Sequence, residues 1–260
     1  MGSMDHFSFG WLTPVLSYAM ACVGAALGLR CTLRAMSATG ASRRNWLLTA
    51  AAAIGSGIWT MHFVAMFGFT VDGTELRYDV PLTVLSLLIA IAVVGLGVFV
   101  VCHGRHRGRS LLLGGLTTGI GVAAMHYLGM AAVRIHGELQ YRFGTVTLSV
   151  LIAVGAATAA LWAAVTIRNV YAAAAASLVM GIAVSCMHYV GMAAVHVHME
   201  PARTGLGGAT PMQFVFPLAV GLGSFLFLTA AFVSLSPTAQ ENAAYREAGE
   251  LAVEELGRAA

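Results

Sequence analysis

The sequence contains no lysine, and only 10% of its 260 residues are charged. A soluble globular domain carries roughly 25%, so a water-exposed fold is excluded at the outset. The 14 basic residues, all arginines, exceed the 11 acidic ones by only three. That balance gives no support to a nucleic-acid partner. No nucleophile elbow, phosphate-cradling glycine loop or pair of carboxylates stands in the apolar stretches, so catalysis here would have to be redox chemistry at a metal. The four cysteines, Cys22, Cys31, Cys102 and Cys186, fall inside those stretches or at their ends, which excludes an extracellular disulfide framework. The short alternating segments of a membrane β-barrel are not visible either.

What is present is apolar. Hydrophobic residues make up 58% of the chain and the mean hydropathy is +0.81. They fall into seven blocks, at about residues 10–33, 46–69, 81–102, 111–133, 144–167, 172–196 and 212–235. Each is long enough to cross roughly 30 Å of hydrocarbon as a helix. The first block follows Asp5 and His6 rather than a basic segment and is too long for a cleaved signal, so it is expected to be retained. The expectation is an all-α polytopic membrane protein of seven transmembrane helices, with a membrane domain over 1–236 and a short cytoplasmic tail over 237–260.

The arginines orient it. Arg30, Arg34, Arg43, Arg44, Arg105, Arg107, Arg109 and Arg168 lie in or beside alternate loops, whereas the other loops hold Arg77, Arg134, Arg142 and Arg203 among Asp72, Glu75, Asp79, Glu138 and Glu200. By the positive-inside rule the N-terminus lies outside and the C-terminus inside. The run from His103 to Arg109 reads as a topology anchor for anionic lipid. Trp11, Trp59, Tyr78 and Tyr141 read as interfacial aromatics, with ordinary packing the alternative for Trp59.

The chain also repeats itself. Gly119, Gly121 and Met125-His126-Tyr127-Leu128-Gly129-Met130 are echoed by Gly181, Ala183 and Met187-His188-Tyr189-Val190-Gly191-Met192. A weaker copy comes first, as Gly55, Gly57 and Met61-His62-Phe63-Val64-Ala65-Met66. The histidines stand 64 and 62 positions apart, a period of two spans and two loops, so three related helix pairs with a seventh helix added are expected. An even number of spans per repeat puts all three motifs at one depth, on the order of 10 Å below the outer surface. Histidine and the methionine four residues later share a helix face, so three imidazoles and three thioethers are expected to converge.

Histidine inside a membrane is costly and by default functional. Thioether sulfur is soft and suits Cu(I), imidazole suits copper, zinc and iron, and no carboxylate accompanies the motifs. Copper fits this donor set best, and zinc, which recruits Cys, His or carboxylate, fits less well. Haem held between histidines, or histidine and methionine, is a chemically sound alternative. His6, His136, His196 and His198 gather on the outer side, as a second metal site, an access path or ordinary loop residues, with His196 and His198 near a helix end.

At these motifs the sequence resembles the MHYT family of bacterial membrane sensor domains, over roughly residues 7–236. The resemblance implies a module of six or seven helices in the bacterial plasma membrane. Family members are proposed to bind copper through motif His and Met near the outer face and to sense oxygen, carbon monoxide or nitric oxide. Carried over, the ligands are Met61, His62, Met66, Met125, His126, Met130, Met187, His188 and Met192. The motif's threonine is replaced by Val64, Leu128 and Val190, and Phe63 stands for tyrosine in the first copy. Similar proteins often continue into cyclase, phosphodiesterase or kinase domains. Here a tail of about 25 residues follows from Pro237, with Glu241, Glu247, Glu250, Glu254 and Glu255 in it, and a separate cytoplasmic signalling partner is the corresponding expectation. Copper acquisition or transport, a haem electron-transfer protein and a purely structural membrane protein are the competing functions.

Overall fold

A computed structural model describes residues 4–5, 9–104, 106–199 and 205–236. Seven helices form where the apolar blocks lie: α1 (Leu12–Ser37), α2 (Gly40–Met66), α3 (Val80–His103), α4 (Arg107–Ala131), α5 (Phe143–Thr166), α6 (Val170–Ala193) and α7 (Phe216–Leu235). A π-helical turn, Pro211–Val215, leads into α7 under a reciprocal Thr210–Gln213 cap. Each of the seven is long and apolar enough to cross a membrane. Large apolar side chains such as Leu88, Leu112, Leu151 and Phe227 point outward, as a lipid-facing surface requires. The chain is a multi-pass membrane protein.

The first six helices close a ring, each packed on its neighbours in sequence, with α6 returning to α1, while α7 lies against α1 and α2. Close approach between α1 and α2 depends on glycine. A Cβ added at Gly24 would stand 2.8 Å from the Cα of Gly57, so the two backbones touch directly.

Three antiparallel ribbons cap one end of the ring. β1 (Met4–Asp5) pairs with β2 (Thr70–Val71), β3 (Arg77–Tyr78) with β4 (Val133–Arg134), and β5 (Gly137–Tyr141) with β6 (Val195–Met199). Each ribbon joins the strand entering a helix pair to the strand leaving the same pair. The repeat is therefore a strand, two helices and a strand, closed on itself. At the opposite end the helix pairs turn over in a few residues, and Arg30, Arg34, Arg43, Arg44, Arg107, Arg109 and Arg168 stand near these turns.

Two sequence expectations change. The motif helices end at Met66, Ala131 and Ala193, earlier than the apolar blocks do, because the last apolar residues leave the helix and pair as strands. The motif histidines thus lie four or five residues from their helix ends, about 6–8 Å along the axis, beneath the ribbons. His196 and His198 belong to strand β6, not to a helix end. Val195 and Val197 are buried while the alternating histidines face away, the period-two pattern of a half-buried strand. His6 and residues 237–260 lie outside the described residues.

One ion pair fastens a ribbon to the bundle. Asp79 caps α3 by accepting from the Leu82 amide at 3.1 Å, and its other oxygen accepts from Arg134 of β4 at 2.7 Å. Arg134, followed by that amide, holds the carboxyl below its ordinary range. A depressed carboxyl stabilises the folded state above its ordinary pKa and loses that effect as pH falls through the folded value. Protection of the residue-79 amide, which bonds to the Ala132 carbonyl at 2.8 Å, taken relative to the unstructured exchange rate at each pH, is therefore expected to fall in acid, and to lose this pH dependence in Asp79→Asn.

Candidate metal centre

The layer of side chains facing the ring axis follows from the repeats. His62, His126 and His188 come from α2, α4 and α6, and all three are fully buried. Their Nδ1 atoms form a triangle of 3.0 Å (His62 to His188), 3.2 Å (His126 to His62) and 3.4 Å (His188 to His126). The rings stand nearly perpendicular to one another, at 77–87° with centroids 4.9–5.2 Å apart. The three motifs thus sit at one depth with their nitrogens converging on one point.

Such a triangle cannot be satisfied by hydrogen bonds alone. In a neutral imidazole each Nδ1 either carries a proton or offers a lone pair. Around three atoms, at least one edge must then join two donors or two acceptors. An ion resolves the conflict. Metal to imidazole distances of 2.0–2.1 Å imply nitrogen separations of about 3.3–3.6 Å for three ligands on one ion; the 3.4 Å side falls in that range, and the 3.0 and 3.2 Å sides would have to lengthen by a few tenths of an ångström. Among the described residues this is the one group of three such donors close enough to hold an ion.

The outer edges of the rings are shaped by glycine. A Cβ on Gly129 would lie 2.7 Å from Nε2 of His62, and one on Gly191 would lie 2.5 Å from Nε2 of His126. Both Nε2 atoms are buried without a hydrogen-bond partner. Each ring therefore lies directly on the backbone of the next motif helix, and the absent side chain sets how far inward it reaches. Ala65 holds the corresponding position on α2.

All six motif methionines, Met61, Met66, Met125, Met130, Met187 and Met192, are buried. They divide around the histidines. Met187 lines a cavity on the ring axis, while Met130 lines a groove beneath the β5–β6 ribbon. Among the described residues, the other three outer-side histidines are not part of the layer. His136 bonds to Thr74 through Nδ1 at 3.3 Å, His196 accepts from Arg142 through Nε2 at 3.1 Å, and His198 is exposed opposite Glu138. Cys186, two residues from His188, is exposed on the other side of α6.

A second layer supports the first. The aromatic residue after each histidine meets its ring edge-on: Phe63 at 4.6 Å, Tyr127 at 4.8 Å and Tyr189 at 5.0 Å between centroids. Tyr127 then bonds to Ser149 of α5 at 2.6 Å, and Tyr189 points its hydroxyl at Ser17 of α1. Phe63 has no hydroxyl. In its place Trp59, one turn earlier, donates to Ser86 of α3 at 2.9 Å. Each of these serines also donates to the carbonyl three residues before it. Trp59 and Tyr78 are therefore core residues rather than interfacial ones, Tyr78 packing on Phe63 at 5.8 Å.

The serines and the two motif glycines were not assigned roles from the sequence alone. A signal existed in the pairs Ser17/Ala21, Ser86/Ala90 and Ser149/Ala153, the same spacing in α1, α3 and α5.

The family described as "Bacterial signalling protein N terminal repeat", MHYT, matches residues 55–115 and 119–177. The chain belongs to the MHYT family. It is 40% identical over 192 residues to the bifunctional diguanylate cyclase/cyclic di-GMP phosphodiesterase MucR of Pseudomonas aeruginosa, covering 72% of this chain and 28% of that protein. It is 43% identical over 169 residues to the cyclic di-GMP phosphodiesterase NbdA of the same organism, covering 63% and 21%. To the signaling protein YkoW of Bacillus subtilis it is 29% identical over 211 residues, covering 77% and 26%. The chain thus aligns with 28% or less of the length of these relatives. No solved structure matches it.

The pseudo-threefold arrangement makes a specific rescue testable. Trp59→Phe removes the donor to Ser86, whose own proton stays on the Thr83 carbonyl, and the lost bond is expected to cost about 0.5–1.5 kcal/mol of stability, read as thermal unfolding in detergent. Adding Phe63→Tyr supplies a hydroxyl at the position that serves the other two repeats, and part of the loss should return.

Proposed function

We propose that this MHYT module is a sensor in which His62, His126 and His188 hold one copper ion near the outer membrane face. The observation that carries this reading is the triangle of three Nδ1 atoms with sides of 3.0–3.4 Å. The donor set favours copper as Cu(I). Neutral imidazoles suit copper, and the converging donors include no carboxylate to balance a divalent charge. Born desolvation scales with the square of the charge, so a divalent ion at this buried site costs about four times as much as a monovalent one. An ion held by three nitrogens supplies an open coordination position, suited to oxygen, carbon monoxide, nitric oxide or a change of redox state.

The competing readings fit less well. Three rings converging from three helices leave no slot for the plane of a haem. A transport route would need ligands continuing along the axis. Below the histidines the axis is instead lined by residues such as Ile58, Val122 and Val184 and narrows at Leu29, Val98 and Leu161, with only Met180 and Met187 bringing sulfur.

Signal output follows from the position of α7, which packs on α2, the helix of His62, and on α1. Arg34 of α1 donates to the carbonyls of Val233 and Ser236 at the end of α7, at 2.6 and 2.7 Å. With the arginine-rich end placed in the cytoplasm, this grip lies where a signal would leave the membrane. The names of MucR and NbdA point to cyclic di-GMP enzymes as the kind of output such a module serves.

Elemental analysis and absorption spectra of detergent-purified protein test the reading. Copper-loaded wild type should retain near-stoichiometric copper, and the triple change of His62, His126 and His188 to Ala should lose it. Wild type that stays copper-free after loading, or shows a haem spectrum, would contradict the proposal.

A further inference from the structure

Beneath the histidine layer the axis of the ring holds a cavity of about 60 Å³. Its origin is in the repeat. Residues four, eight and twelve positions after Ser17, Ser86 and Ser149 face the axis in successive layers. The first of these layers is Ala21, Ala90 and Ala153, all buried, and the second is Ala25, Val94 and Ala157. At the third, Leu29, Val98 and Leu161, the side chains lengthen and narrow the space, which runs past them as far as Ala164. Five alanines and one valine in two consecutive layers leave room between this narrowing and the histidine layer.

The lining is apolar. Its one hydroxyl, on Thr118, donates to the Val93 carbonyl at 3.4 Å and so is directed at the helix backbone. A water needs two to four polar partners to occupy a cavity, and apolar cavities stay dry and take up xenon or benzene instead. A benzene-binding cavity measures about 150 Å³, so a space of this size suits a smaller guest of two or three heavy atoms.

From these observations we infer that the alanine layers form a binding chamber for one small apolar molecule, of the size of a diatomic gas or a xenon atom. Met187 lines the chamber and immediately precedes His188, so a guest rests beside the histidine layer. The chamber does not depend on copper, because none of its walls is a proposed ligand except Met187.

Crystals of the full chain, metal-free and pressurised with xenon, provide the test through anomalous diffraction. A xenon peak is expected on the axis between Ala25 and Ala157. Ala157→Leu should abolish it, and the milder Ala25→Val should weaken it, with helix content and elution unchanged from wild type. The inference is overturned if wild type shows no axial xenon, if the peak survives both substitutions, or if a lipid or detergent chain fills the space instead. Because the protein carries no metal in this experiment, its outcome is separate from that of the copper reading.

Discussion

Three imidazole nitrogens brought within 3.4 Å of one another inside a bilayer form an odd-membered ring that protons alone cannot satisfy, and water is not at hand to help. Buried polar groups left unpaired cost on the order of 1–3 kcal/mol each, so the surrounding helices must supply the energy that holds the histidines together. They do so by close packing. Glycines bring helix backbones into contact at Gly24 and Gly57, and let the rings of His62 and His126 lie against the backbone at Gly129 and Gly191. The same compactness that imposes the conflict also prepares a site in which a cation would relieve it.

Support extends outward in matched triplets. Behind the histidines stand Phe63, Tyr127 and Tyr189, and behind these the serines of α3, α5 and α1. The first repeat departs from the pattern twice, with Phe63 for tyrosine and Ala65 for glycine. Trp59 compensates the first change by reaching the same serine from one turn away. The first two repeats have diverged in sequence while each keeps an aromatic hydrogen bond to its serine. The ring they build is not symmetric at its margin, since α7 packs mainly on α1 and on α2, the helix that carries His62.

The helices and the triplet of histidines were legible in the sequence because both rest on long-range regularities: apolar runs longer than a membrane is thick, and a motif recurring at 64 and 62 positions. The convergence of the rings followed from the even number of spans per repeat. The ribbons were not read. Val195-His196-Val197-His198-Met199 alternates as a strand does, but it continues an apolar helix without a break, and its partner strand lies more than 50 residues away. Tyr78 was placed at the interface because its loop is polar, yet a two-residue strand folds it onto Phe63. The serine bonds depend on which helices become neighbours, which spacing within one helix does not reveal.

X-ray absorption at the copper edge of the loaded protein tests the central claim most directly. Three imidazole nitrogens at about 2.0 Å around a single ion are what the geometry predicts, with that shell disappearing when His62, His126 and His188 are replaced. A first shell built of sulfur alone, or an unchanged shell in the histidine variant, would contradict the account.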